Sequence, residues 1–479
     1  MKTYITSAIA YVNGPPHLGH ALEFVIDDVL ARYSKITGNE TLLSIGTDEH
    51  GGKIAEKAES FGLSPKQLAD KVSQEFIDLA KELNISYDRF IRTTDIDHQK
   101  RVQIVWNQIK DDIFKKEYQA WYCTGDEAFF SDEVVRNNNG ICPEHNRPYE
   151  KISEENYFFK LSKYNDQIKN LIEKGEFRVI PSSKKNEILS LLSEGLEDIS
   201  ISRPKTKISW GIPVSDDDSQ VIYVWFEALL NYITVLGYPD GKDFKQFWPA
   251  DYQIVGKDIL RFHAAIWPGI LLALNIDTPK VLYVHGHIYV DNQKMSKSLG
   301  NSVEPKEIIN KFGVDALRYY FLRHIPSYSD GDFSWDKFSD AYNNELGNEL
   351  GNLVQRSSVM IQNYLGGKLS PNDVKSKPYD PEIAGLIEEC RFDRALDLIW
   401  SKIKQSNQYI ESEKPWVLYK NNDHKILSVT LNHQVESIRE LAYLLVPFIP
   451  NTAEKILDIF GGEKLKPSET TLFPRVDLI

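Results

Sequence analysis

Cysteine is scarce: the 479 residues include only three, Cys123, Cys142 and Cys390. An odd count without framework spacing excludes a disulfide-stapled secreted scaffold and favours a reducing compartment, so a cytoplasmic location is expected. Positive charge is also in deficit, 56 Lys and Arg standing against 69 Asp and Glu for a formal net charge of −13. Blanket attachment to nucleic acid is thereby excluded, and any RNA partner must be met by local patches. Long apolar runs are missing as well. Ile266 to Leu274 is interrupted by Pro268 and falls far short of the roughly 20 residues that span a bilayer, so a soluble chain with no membrane partner is expected. Met1-Lys2-Thr3-Tyr4-Ile5-Thr6 carries no charged leader or Arg-rich presequence. A P-loop, solenoid repeats and low-complexity tracts are likewise absent.

What is present is length and apolar content, 42% hydrophobic residues against 26% charged, enough for roughly two to four domains with large cores. Tyr4 to Val12 predicts a strand, Asn13-Gly14-Pro15-Pro16 a loop, and Leu22, Val25, Ile26, Val29 and Tyr33 recur at helical spacing up to Gly38. A second strand, Glu40 to Ile45, runs into Gly46-Thr47-Asp48-Glu49-His50-Gly51. Strand, loop, helix and strand in that order predict a doubly wound parallel-sheet α/β domain with its ligands at the strand ends. Turn-rich sequence at Asn137-Asn138-Asn139-Gly140 and Cys142-Pro143-Glu144-His145 marks an inserted module over 116–209, which leaves 1–115 as the first half of the α/β domain. Strand patterns at Val221 to Trp225, Tyr252 to Val255 and Val281 to Val284 complete the sheet within 210–340. Over 341–479 the pattern is helical. Leu346, Leu350, Leu353, Ser357, Met360 and Tyr364 share one face, and Gly366-Gly367 with Pro371, Pro378 and Pro381 links them to further helices of a C-terminal bundle.

Two short motifs carry the chemistry. His17-Leu18-Gly19-His20 lies at a strand-to-helix turn, where Gly19 lets a nucleotide approach the backbone and the helix N-terminus favours an anion. His17 and His20 then face phosphates as donors to a pentavalent α-phosphate. Lys294-Met295-Ser296-Lys297-Ser298 follows the strand Val281 to Val284 and a turn at Gly286, setting Lys294 and Lys297 on a positively charged loop. Lysine is a compact charge on a flexible stem and follows the charge developing on leaving pyrophosphate. Either motif alone is also compatible with a structural helix cap or a solvated basic turn; both, in this order within one interrupted sheet, indicate adenylate chemistry.

The pair resembles the ATP-binding signatures of class I aminoacyl-tRNA synthetases. Ala8-Ile9-Ala10-Tyr11, Gly46-Thr47-Asp48-Glu49-His50-Gly51, Tyr223-Val224-Trp225-Phe226-Glu227-Ala228 and Gly256-Lys257-Asp258-Ile259-Leu260-Arg261-Phe262-His263 with Trp267-Pro268 are similar to the methionyl-tRNA synthetase family, from the first strand to the bundle. The resemblance implies a Rossmann-like catalytic domain, an inserted connective module and a helical anticodon-binding domain. It also implies a reaction in which ATP activates methionine to the adenylate and tRNA(Met) receives it, with Mg²⁺ accompanying ATP and no dedicated protein cage for the ion. Ala8, Ile9, Tyr11, Trp225, Ala228, Leu229, Tyr232, Ile259, His263 and Trp267 would then line the methionine pocket, and Asp48 would hold the ammonium. An aromatic, apolar lining suits a flexible thioether. Leu229-Leu230 stands where some relatives have Pro-Ile, which reshapes that wall. Gly19, Glu23, Gly256, Asp258, Ile288 and Lys297 would meet ATP. Leucyl, isoleucyl and valyl relatives share both signatures but carry a much larger editing insertion than 116–209 holds. An idle RNA-binding protein on the same fold is disfavoured by the intact His17, His20, Lys294 and Lys297.

Cys123-x2-Asp126 and Cys142-x2-His145 have the layout of a zinc knuckle in which an aspartate replaces a cysteine that relatives often carry. Two readings stay open, bound Zn²⁺ and a hydrogen-bonded turn that keeps part of a ligand set. Asn352 and Arg356 are four apart on one helical face, and Pro415-Trp416 starts another helix whose indole can stack on an unpaired base. By the resemblance these three read the anticodon. The chain ends at Ile479 soon after the bundle, and a monomer is expected.

Overall fold

The computed structural model describes residues 1–125, 128–294, 303–371, 378–466 and 471–476. Its centre is a seven-stranded, all-parallel sheet. The first strand, Lys2–Ser7, lies between Glu40–Asp48 on one side and Tyr252–Gly256 on the other. Val281–His285 and the edge strand Arg178–Ile180 follow outward from Tyr252–Gly256, and Arg89–Arg92 flanks the far side of Glu40–Asp48. Consecutive residues Tyr4, Ile5, Thr6 and Ser7 are all buried, as expected of a parallel strand covered on both faces. Its side chains alternate between two cores. Tyr283 and Val281 join one with Ile254 and Ile5, while Leu282 and Val284 join the other with Val255 and Trp267.

The expected Tyr4 to Val12 strand is interrupted: it stops at Ser7 and resumes as Ala10–Tyr11, which pairs with Thr47 and Asp48. The helix Leu18–Ile36 follows, burying Leu22, Val25, Ile26 and Val29 as the periodicity predicts. The strand expected at Val221 to Trp225 differs more. Only Asp217–Ile222 is extended, in a small antiparallel sheet with Ser202–Pro204 and Pro213–Val214, and Val224–Leu229 is a helix. A short apolar run buried on all sides has no period to distinguish the two forms. Ahead of that sheet, Ile113–Cys123 and Glu150–Phe159 form a long antiparallel ladder, edged by Ala128–Phe130 and Ile199–Ser200. Arg178–Ile180 lies inside the same stretch of sequence yet extends the parallel sheet.

The C-terminal helices pack against the helices Leu18–Ile36 and Val314–His324, and one continuous hydrophobic core includes Leu22 and Leu30 together with the bundle's Leu350, Ile399 and Leu431. A wide-turn helix, Ala341–Gly351, runs into Asn352–Leu365, and Leu346, Leu350, Leu353, Ser357 and Met360 are buried along it. Arg318 is the polar hub of this junction. Its fully buried guanidinium pairs with Asp28 at 2.7 Å and donates to the Phe448 and Pro447 carbonyls at 2.8 and 3.0 Å. Burial of an arginine on this scale requires such complete pairing. No helix among the described residues is long and apolar enough to cross a membrane.

Candidate active site

His17 caps the helix Leu18–Ile36 in a reciprocal arrangement: its Nδ1 accepts from the Gly19 N–H at 3.1 Å, and the His20 Nδ1 accepts from the His17 N–H at 3.3 Å. The two rings stack with centroids 3.8 Å apart. With both Nδ1 atoms accepting, each ring carries its proton on Nε2. Withdrawal from water lowers both histidines below their usual pKa, His20 strongly so, and their mutual repulsion adds to the effect on His20. The motif is therefore a pair of neutral Nε2 donors at a helix N-terminus. A Cβ at Gly19 would lie 3.0 Å from the His17 ring, so glycine is what lets the ring fold back over the helix start.

One turn further, Glu23 is buried. It accepts from the Ser7 hydroxyl at 2.9 Å and meets the His285 Nε2 at 2.9 Å. Burial opposes charge on His285, but Glu23 outweighs it and raises its pKa. The pair thus bridges the ends of the first strand and of Val281–His285. Gly256 closes the neighbouring strand in register with His285; a Cβ there would lie 2.7 Å from Asp258 Oδ1. Asp258 is exposed, with His287 at 3.4 Å, and Ile288 is buried on the following short strand Ile288–Val290.

The second half of the constellation lies beside the first. Asp48 ends its strand opposite Tyr11, its carboxylate buried, with the Thr93 hydroxyl at 3.5 Å. The Tyr232 hydroxyl and the His263 Nε2 are 2.7 Å apart, and the His263 Nδ1 lies 2.9 Å from the Ile259 carbonyl. Since the carbonyl can only accept, Nδ1 carries the proton and Nε2 accepts from the tyrosine. Burial depresses His263 to about 4. Trp225 is half-buried and stacks on Phe262 at 4.2 Å, Ala228 and Leu229 are buried on the same helix, and Trp267 is fully buried behind Tyr232. Ala8 is tied through its N–H to the Ile254 carbonyl, with the half-buried Ile9 next to it. The arrangement can hold a cation at Asp48, an apolar chain among the aromatics, and phosphates above the helix start.

Known proteins match this architecture along its length. The sequence profile described as tRNA synthetases class I (M) matches residues 3–151 and 145–358, and the anticodon binding domain of methionyl tRNA ligase matches 383–472. The methionine–tRNA ligase of Clostridium acetobutylicum is 42% identical across 100% of this chain and 78% of its own length. That of Brucella melitensis is 39% identical over 96% of this chain and 92% of its own. Among solved structures, Mycobacterium tuberculosis methionyl-tRNA synthetase in complex with methionyl-adenylate superposes with a TM-score of 0.93 at 36% identity, over 99% of this chain and 100% of that one. The chain belongs to the methionyl-tRNA synthetases. It is a methionine–tRNA ligase that uses ATP, methionine and tRNA as substrates.

Other residues expected in the site are placed unequally. Lys294 closes the strand Gln293–Lys294, antiparallel to Ile288–Val290, but its side chain and Lys297 lie outside the described residues, as does Asp126. Between the ladder strands Ile113–Cys123 and Glu150–Phe159, Cys123, Cys142 and His145 bring their ligand atoms within 4.8 Å of one another, with Cys142 Sγ 3.8 Å from His145 Nδ1. Both thiols are buried in a small core with Val135 and Tyr149. In the bundle, Asn352 is exposed and the Arg356 guanidinium sits 5.2 Å from the centre of the Trp416 ring while pairing with Glu411; Trp416 is 37% exposed. Pro415 starts its helix as expected. Sequence reading missed the polar groups beneath the pocket: Ser7, His285, and a buried chain of His50, Glu227 and His98. His50 and Glu227 stood inside the quoted motifs, but their partnership spans 177 residues.

Proposed function

We propose the following division of labour for methionine activation and transfer. Asp48 holds the methionine ammonium, and Ala8, Ile9, Tyr11, Trp225, Ala228, Leu229, Tyr232, Ile259, His263 and Trp267 form its side-chain pocket and the wall behind it. Gly19, Glu23, Gly256, Asp258 and Ile288 seat the nucleotide. His17 and His20 donate through Nε2 to the α-phosphate region as the methionine carboxylate attacks in line, and Lys294 and Lys297 neutralise departing pyrophosphate. The observation that carries this reading is the reciprocal His17–His20 cap: it leaves two neutral donors at a helix start that lies within electrostatic reach of Asp258.

The only cluster of three metal-ligating groups among the described residues is that of Cys123, Cys142 and His145. Mg²⁺ would accompany ATP and offset charge on its phosphate oxygens. The cysteine–histidine cluster fits Zn²⁺: bonds of about 2.3 Å to sulfur and 2.0 Å to nitrogen in a tetrahedron would place S and N about 3.5 Å apart, within a few tenths of an ångström of the 3.8 Å between Cys142 Sγ and His145 Nδ1. Zinc there would hold the tip of the inserted module, with Asp126 as the candidate fourth ligand. Asn352, Arg356 and Trp416 form the anticodon-reading patch for tRNA(Met). The four-part division 1–115, 116–209, 210–340 and 341–479 follows this assignment of work, with Arg178–Ile180 serving the sheet.

Lys297→Ala tests the phosphate half. ATP–pyrophosphate exchange should slow by roughly 100-fold or more while methionine binding, followed by tryptophan fluorescence, stays near the parent value. Unchanged exchange kinetics would remove Lys297 from its role.

A further inference from the structure

We propose that Glu227 is a positioning residue for methionine, a buried carboxylate that fixes the distance between the strand end carrying Asp48 and the helix carrying Trp225 and Ala228. The inference rests on reading those residues as the methionine pocket. Glu227 is fully buried in the helix Val224–Leu229. Its Oε1 is 2.7 Å from the His50 Nδ1, its Oε2 is 2.9 Å from the His98 Nε2, and the His98 Nδ1 is 2.7 Å from the Thr234 hydroxyl. Both imidazoles are buried too.

Burial alone would raise the pKa of this carboxyl, yet its contacts with His50 and His98 hold it below the usual carboxylate value. It is therefore an acceptor at both oxygens, and the facing nitrogens are protonated. His98 Nδ1 is then free to accept from Thr234. An apolar side chain of similar volume would fill this space without the desolvation cost of a buried charge, so packing does not explain a carboxylate here. Its partners do. With Glu227 and Thr234 they tie together three separate stretches of chain: the turn after Glu40–Asp48, the helix Ile96–Gln108, and Val224 to Thr234.

The mechanical consequence follows from neighbours in sequence. His50 stands two residues after Asp48, and its ring lies 5.3 Å from that of Trp210, whose indole N–H donates to the Glu49 carbonyl at 2.6 Å. The peptide next to Asp48 is thus gripped from two sides. On the other arm, Trp225 and Ala228 flank Glu227, and Trp225 is stacked on Phe262. A methionine held by its ammonium at one end and its thioether at the other measures the span between these arms. Among the described residues, the hydrogen bonds of Glu227, His50 and His98 do not reach His17, His20 or Gly256, so the network should act on the amino acid and not on ATP.

Glu227→Gln keeps the shape but presents an amide donor to one of two protonated ring nitrogens. In ATP–pyrophosphate exchange, KM for methionine should rise about tenfold or more while kcat and KM for ATP stay within about twofold. Thr234→Val, which leaves the carboxylate in place and removes only the far hydroxyl, should raise KM for methionine about two- to threefold and provides the test should Glu227→Gln fail to fold. Unchanged KM for methionine in a folded Glu227→Gln, or in Thr234→Val when that is the variant that folds, overturns the proposal. So does a fall in kcat together with a rise in both KM values and a lowered Tm, the mark of a merely structural residue. Trp225→Ala separates this failure from that of the pocket itself: if it leaves KM for methionine unaltered, the pocket reading falls and the proposal with it. If it raises KM while Glu227→Gln does not, only the proposal falls.

Discussion

His263→Gln should abolish an acid-dependent loss of stability that the parent enzyme carries. The native ring is held neutral, its Nδ1–H donating to the Ile259 carbonyl and its Nε2 accepting from Tyr232. Burial takes its pKa from 6.5 down to about 4, overcoming the smaller opposing pulls of the Ile259 carbonyl and Asp258. The folded pKa thus lies below the unfolded one. Between pH 6.5 and 4 the unfolded chain binds a proton that the native state refuses, so stability declines as the pH falls through this window. Above it both states are neutral and no penalty exists. At pH 5 the penalty reaches about 2 kcal/mol, and below pH 4 about 3 kcal/mol. A glutamine amide can donate to the Ile259 carbonyl and accept from Tyr232 without titrating. Urea unfolding of both proteins at pH 7.5 and 5.0, followed by tryptophan fluorescence, checks this. Whatever constant cost the substitution carries, the variant should gain about 2 kcal/mol on the parent between the two pH values. His17 and His20 are common to both and cancel. A difference that does not change with pH would refute the reasoning, for it would mean that the native His263 is protonated at an ordinary pH.

Three further outcomes are expected. Trp416→Ala removes the half-open ring beside Arg356, and because stacking one base on an aromatic is worth about 1–3 kcal/mol, kcat/KM for tRNA should fall roughly 5- to 150-fold with ATP–pyrophosphate exchange unaltered; equal charging of tRNA would dismiss the stacking role. Purified enzyme should contain close to one equivalent of zinc by elemental analysis, and Gly125→Ala should lose it, since the added Cβ would fall 2.4 Å from the His145 ring; zinc far below stoichiometry in the parent leaves the turn reading. Gly46→Ala places a Cβ 2.3 Å from the Ile91 carbonyl oxygen between two paired strands and should cost about 2 kcal/mol or more, whereas Gly14→Ala meets nothing within 4 Å and should leave Tm unchanged.

Legibility in the sequence followed distance along the chain. His17, Gly19 and His20 could be read because a helix start is a local event: cap, backbone donors and ring all belong to four consecutive residues. The helix Leu18–Ile36 and the bundle face from Leu346 to Met360 were legible for the same reason, their period repeating every turn. The run Val221 to Trp225 misled because β-branched and aromatic residues buried on every side look alike in strand and helix, and what bends it into a helix after Ile222 is its packing. Resemblance, and not pattern, assigned the aromatics of the pocket.

By itself, then, the sequence determined the ATP chemistry, the alternation of strand and helix, and the candidate ligands at strand ends, since each depends on neighbours a few residues apart. Only the tertiary structure decided that His17 and His20 are neutral, that Glu23 is tied to His285, and that Glu227 lies between His50 and His98. These facts turn on burial and on partners hundreds of residues away. Charge state and tautomer are set by what surrounds a group in space, and that information exists only once the chain has closed around it.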